Sequence, residues 1–317
     1  MTQRTPWSAI PQHVQEVLEA RLGAPIIGVS EASAGFSPAI AATVELAGGI
    51  KRFVKACTPS INQTTMFMQR HEAMVVSQLP PEVPTPQLVF SGDIDEWQVL
   101  VFEYLDAQPV TDPFAHMRGI DALYDTLGGV RINGLAHVLD DHQSLFTSWA
   151  ALSEQVPGLG ALVELESQVE FMRFDDSLMH GDGRDDNALV GADGRHYFVD
   201  WACACHGPGF IDAVGAVSAL HIRFDVPVAD LVASSRLIAE RSPHELAVFV
   251  AGFAGYLANF AHKPAPPNMP TLRAFQYAQA GPMLTWLQQL VGDRIVVPSM
   301  DDITGALSKA RRDASND

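Results

Sequence analysis

LMHGDGRDDNALVGADGRHYFVDW, residues 178–201, is the densest pattern in the chain. Its two short apolar runs, NALV (187–190) and HYFVDW (196–201), flank the turn Gly191-Ala192-Asp193-Gly194, so the segment reads as a small β-hairpin. Just ahead of it, His180-Gly181-Asp182-Gly183-Arg184-Asp185-Asp186-Asn187 has the form H-x-D-x-x-x-x-N. Thirteen residues after Asn187 comes Asp200, at the end of the returning strand, with Trp201 behind it. These residue types suit phosphoryl transfer, which needs in-line positioning and charge neutralisation more than covalent help. A carboxylate at Asp182 can orient an acceptor hydroxyl. The amide oxygen of Asn187 and the carboxylate of Asp200 can hold Mg²⁺, a hard cation that keeps several waters.

Working outward, three strand-like runs stand near the N-terminus, at 26–32, 39–46 and 50–57. Turn residues separate them, so they read as an antiparallel meander behind a short amphipathic helix from Pro11 to Leu22. A helix follows from about Gln63 to Leu79, stopped by Pro80 and Pro81, and then two more strands at 87–92 and 97–105. Beyond Pro109 helical periodicity dominates from Asp112 to Phe174 and again from Phe210 to the end. The expected class is α+β, with a β-rich lobe over 1–105, a helical lobe over 106–317 and a cleft between them.

The bulk properties narrow the function. A formal net charge of −17 repels nucleic acid and anionic membrane; it either serves solubility or draws in a cationic substrate. The N-terminus lacks a signal-peptide core, no apolar run is long enough to span a bilayer, and three cysteines make no disulfide framework. A soluble, cytoplasmic protein is expected.

The set HGDGRDDN…VDW resembles the catalytic segment of the aminoglycoside phosphotransferase family, relatives of the protein kinases. That resemblance implies a protein-kinase-like fold of two lobes, with ATP and Mg²⁺ as cofactors. Asp182 then takes the catalytic-base position with His180 as its scaffold, and Asn187 and Asp200 become the metal ligands. Lys55, in RFVKAC, resembles the lysine that reaches the α- and β-phosphates, and Glu72, 17 residues on, its ion-pair partner. VLVFEYLD resembles the hinge: Phe102 beside the adenine, with the backbones of Glu103 and Leu105 bonding its edge. Asp212, in GPGFIDAV, resembles the carboxylate that braces the catalytic loop. The match covers about residues 26–216 and departs from pattern in one place. The phosphate-covering loop SEASAGFSPA (30–39) has the single glycine Gly35, so Ser33 or Ser37 is expected to substitute, and GTP stays open beside ATP.

Several residues carry two readings. Asp185 and Asp186 either contact ammonium groups of a cationic acceptor or form a solvated acidic loop. The same choice holds for Asp140, Asp141, Asp175 and Asp176. Cys203-Ala204-Cys205-His206 is read as packing rather than zinc, since no second pair completes a tetrahedral site. Phe260, His262 and Trp286 are candidates for the acceptor pocket. Three functions compete: an O-phosphotransferase acting on an aminoglycoside-like antibiotic, hence a resistance enzyme; a kinase of an amino alcohol, sugar or biosynthetic intermediate; and a nucleotide-binding pseudokinase.

Overall fold

A computed structural model describes residues 4–32, 35 and 37–314. They group into two compact units. The first comprises residues 1–110, 186–204 and 266–270, the second 111–185, 205–265 and 271–317. The hairpin after Asp185 groups with the β-rich unit.

In the first unit, helix α1 (Gln12–Leu22) precedes strands β1 (Ile26–Glu31), β2 (Ile40–Leu46) and β3 (Lys51–Cys57). Helix α2 (Pro59–Val76) leads to β4 (Leu88–Ile94) and β5 (Trp97–Glu103). The five strands form one antiparallel sheet in the order β1-β2-β3-β5-β4. The apolar core joins Val14 and Leu18 of α1 to Ala42, Val44, Val54, Ala56, Val99 and Val101 of the sheet. Because side chains alternate along a strand, the intervening residues point to the other face. Lys55 stands opposite Leu100, and Phe53 opposite Phe102, so Lys55 and Phe102 share that face.

Helix α2 starts four residues earlier than the sequence suggested. Thr58 caps it by accepting from Ile61 N, Pro59 occupies the first turn, and a kink at Asn62 separates that turn from the rest. A second sheet joins β6 (Ala107–Pro109), β8 (Ala188–Gly191) and β9 (His196–Phe198). Here the expected strand HYFVDW is cut short: Val199 donates to Asn187 O at 2.9 Å, and Asp200 turns into the left-handed region at φ 67. Asp tolerates that conformation, and it swings the carboxylate off the line of the strand.

The second unit is helical. It contains α3 (Pro113–Leu127), the short α4 (Val138–Asp141), α5 (Ser148–Ser153) and α6 (Gly160–Glu166), then α7 (Phe210–Phe224). Next come α8 (Val228–Ala233), α9 (Arg236–Ala239), α10 (Pro243–Ala261), α11 (Leu272–Val291) and α12 (Met300–Ala314). A two-residue ladder pairs β7 (Leu178–Met179) with β10 (Cys205–His206) directly before His180. Ser242 and Glu245 close a capping box on α10, which packs along α11. Among the described residues no helix is long and apolar enough to cross a membrane.

Candidate active site

The first unit brings three of the expected residues into contact. Lys55 Nζ lies 2.8 Å from both carboxylate oxygens of Glu72 and 3.1 Å from Asp200 Oδ1. Strand β3 supplies the lysine, α2 the glutamate, and the turn after β9 the aspartate. Two anchors hold that turn: His71 Nε2 bonds Ala204 O at 2.8 Å, and the buried Trp201 indole donates to Thr85 Oγ1 at 3.1 Å. Glu72 also accepts from the Trp201 backbone N–H, so the helix fixes the residue next to Asp200.

The electrostatics follow from burial. Glu72 is 2% exposed, and burial pushes its carboxyl up to about 7, opposed by Lys55, with the charge of Asp200 adding to the rise. For Lys55, burial alone lowers the pKa, but Asp200 and then Glu72 outweigh it and the net direction is upward. A carboxyl with a higher pKa folded than unfolded contributes stability that is full below its unfolded value of 4.5 and is lost as pH rises through about 7. The melting-temperature advantage of the wild type over Glu72→Gln is therefore expected to shrink between pH 4.5 and 7 in scanning calorimetry. An advantage that grows across that window would show Glu72 ionised throughout.

Asn187 is 7% exposed and belongs to the same unit as Asp200. One amide oxygen and one half-exposed carboxylate form a sparse set of hard oxygen donors, which suits a Mg²⁺ ion completing its shell with water and phosphate oxygens. The residues present therefore fit that ion. Among the described residues no group of three or more His, Cys, Asp or Glu is placed to hold a metal.

In the segment expected to form the hinge, Phe102 is buried with Lys55 Nζ 5.9 Å from its ring centroid. The N–H of Glu103 is donated to Gln87 O at 2.9 Å, so a backbone bond from Glu103 to a base edge has to come from its carbonyl. Leu105 lies past the end of β5. Gly35 has φ +95, Ser37 Oγ accepts from Ala39 N at 3.2 Å, and Ser33 lies outside the described residues.

In the second unit, Asp212 on the first turn of α7 gathers the loop before Asp182. Its Oδ2 accepts from His180 N at 3.0 Å, Gly181 N at 3.1 Å and the Tyr124 hydroxyl at 2.5 Å. Burial, then the Asp212 charge, raises the Tyr124 phenol far above its usual range and keeps it a donor. His180 is fully buried, and its Nδ1 faces Asp182 N at 3.3 Å, a bracing position rather than one open to solvent. His116 Nε2 meets Gly183 O at 2.9 Å. Arg184 Nη2 stands 3.4 Å from Asp182 Oδ2, and its guanidinium lies 5.9 Å from the Phe275 ring centroid.

The acidic residues that might have met ammonium groups are largely occupied. Asp185 is buried against Arg223. Arg173 grips Asp140 bidentately at 2.8 and 3.0 Å, Arg131 pairs with Asp176 at 2.6 Å, and Asp175 accepts twice from Ser177. Asp141 stands 3.8 Å from His142, and Asp186 is exposed. Trp286 is core, His262 bonds Ala258 O and Thr304, and Phe260 is half-buried among Tyr256, Lys263 and Arg273.

A β-rich unit that pairs Lys55 with Glu72 beside Asp200, and a helical unit that fixes an H-x-D loop on Asp212, together define a kinase-like phosphotransferase. The family model described as "Phosphotransferase enzyme family" matches residues 28–251, and the chain belongs to that family. No curated protein sequence matches. Among solved structures, an amicoumacin kinase in complex with AMP-PNP, Ca²⁺ and Ami is similar at TM-score 0.57 and 11% identity, over 96% of this chain and 93% of that one. A thermostable mutant of aminoglycoside phosphotransferase APH(4)-Ia with AMP-PNP and hygromycin B is similar at TM-score 0.57 and 12% identity, over 93% and 99%. Spectinomycin phosphotransferase with ADP and spectinomycin gives 0.52 and 12%, over 85% and 94%. At these identities the likeness is one of fold.

Proposed function

We propose that the chain transfers the γ-phosphate of ATP to a hydroxyl of a small molecule. The observation that carries this reading is the contact of Lys55 with both Glu72 and Asp200: a buried carboxylate fixes a cation beside a second carboxylate that turns out of its strand. Lys55 holds the α- and β-phosphates, and the hinge around Phe102 receives the base. Asn187 and Asp200 hold Mg²⁺, which when bound neutralises phosphate charge. Asp182, positioned through His180 and Asp212, orients the acceptor hydroxyl for direct in-line transfer with no phospho-enzyme.

The acceptor's charge is a separate matter. The net charge of −17 favours a cation, and the antibiotics bound to the similar structures make aminoglycosides and amicoumacin natural first probes. Against a polycation stand the arginine partners already held by Asp185, Asp140 and Asp176, which several ammonium groups would have to displace. That observation favours a second class, neutral sugars and singly charged amino alcohols. Coupled measurement of ADP release with hygromycin B, kanamycin, spectinomycin, choline and simple sugars separates the two. Turnover confined to the polycations would refute the second class. AMP-PNP binding without phosphate transfer to any acceptor would favour the pseudokinase.

A further inference from the structure

Arg4, in the first unit, has no role in the proposed phosphoryl transfer. The N-terminal segment is laced to both ends of the loop between β1 and β2. At one end Trp7 N donates to Glu31 Oε1 at 2.6 Å; at the other Thr5 N and Oγ1 both reach Pro38 O at 3.0 Å, and Arg4 Nη1 reaches Ala39 O at 3.4 Å. Between those ties the guanidinium passes Gly35. A Cβ built on Gly35 would stand 2.5 Å from Arg4 Nη2, and its φ of +95 already disfavours any side chain. The φ of Gly35 explains the glycine; the contact places the flexible end of the Arg4 side chain over this loop.

Charge explains why a guanidinium belongs at this place. With all three groups ionised, as they are above about pH 7, Lys55, Glu72 and Asp200 leave one negative charge in excess, which opposes a polyphosphate. A glycine-rich phosphate loop offers a nest of backbone N–H groups; this loop has the single glycine Gly35 and so less scope for one. Arg4 is half-buried, which lowers its pKa, while Asp200 counteracts that loss, so Arg4 and Lys55 feel the same carboxylate. The planar donors of the Arg4 guanidinium match phosphate oxygens two at a time.

We propose that Arg4, held over Gly35 by the N-terminal segment, binds the polyphosphate of the nucleotide. The proposal rests on the phosphotransferase reading and adds to it a residue outside the matched 28–251 segment.

Calorimetric titration of the full chain with AMP-PNP and with adenosine, both with Mg²⁺, tests it. Arg4→Gln is expected to weaken AMP-PNP about ten- to a hundredfold, as loss of charge-assisted bonds does, and to leave adenosine within about twofold. Arg4→Lys restores part of the loss. Thr5→Val, which removes the hydroxyl tie to Pro38 O but keeps the guanidinium, is expected to weaken AMP-PNP less than Arg4→Gln does and to leave adenosine unchanged. Equal weakening of both ligands by Arg4→Gln, or no weakening, overturns the proposal while leaving the phosphotransferase reading in place. A wild type that binds adenosine and AMP-PNP equally weakly removes the phosphate site itself, and both readings fall.

Discussion

Replacing Asp182 with asparagine is expected to lower kcat by about 10²–10⁴-fold, the usual contribution of a positioned general base, with AMP-PNP affinity nearly unchanged. Asparagine keeps the shape of the side chain but can neither take a proton nor carry the charge that aligns a hydroxyl. The exchange spares the scaffold. The loop is held through the backbones of His180 and Gly181 on Asp212 and through His180 Nδ1 at the Asp182 N–H, none of which involves the Asp182 carboxylate. That carboxylate is 28% exposed and faces Arg184, so the melting temperature should move little. Steady-state kinetics with any acceptor that turns over, beside calorimetry with AMP-PNP, gives the answer. Activity within tenfold of wild type would remove Asp182 from the chemistry and make the pseudokinase the better account.

How much of this site the sequence disclosed depends on the kind of contact. Lys55 and Glu72 were legible because a strand followed by a capped helix fixes their relative placement, and the 17-residue spacing is local information. The sheet was legible for the same reason: β1 to β5 are short alternating or fully apolar runs between turn residues, and each was found to within a residue or two. The end of HYFVDW was misread. Its composition is that of a strand, and nothing in it announces that Asp200 adopts a left-handed conformation. Tyr124 was missed because its partner Asp212 is 88 residues away, and an isolated tyrosine in an amphipathic helix carries no pattern. Arg4 was missed likewise, as a lone basic residue ahead of the first element. The acidic residues were seen, but their charge said nothing of Arg173, Arg131 and Arg223, since ion pairs between distant segments are set by the tertiary fold.

Asp212→Ala is expected to be the most destabilising single change near the site, at about 3–5 kcal/mol. Three donors converge on this carboxylate, from His180 N, Gly181 N and the Tyr124 hydroxyl, and Asp212 itself is 3% exposed. A buried donor left without its acceptor costs about 1–3 kcal/mol, and the three share one acceptor, so their costs do not simply add. The substitution also opens space beneath Gly183, where Asp212 Cγ lies 3.5 Å from the position of a Cβ. Tyr124→Phe removes one donor, keeps the other two bonds and should cost about 1 kcal/mol. Denaturant unfolding of the two variants therefore separates a loop-bracing carboxylate from a merely buried one. If Asp212→Ala costs no more than Tyr124→Phe, water has replaced the carboxylate and the bracing role fails. Where the cost is as large as expected, kcat should drop as well, because His180 and Gly181 lose the anchor that sets the backbone of Asp182. Nucleotide affinity, which the proposed function assigns to Lys55, Asn187 and Asp200, should hold.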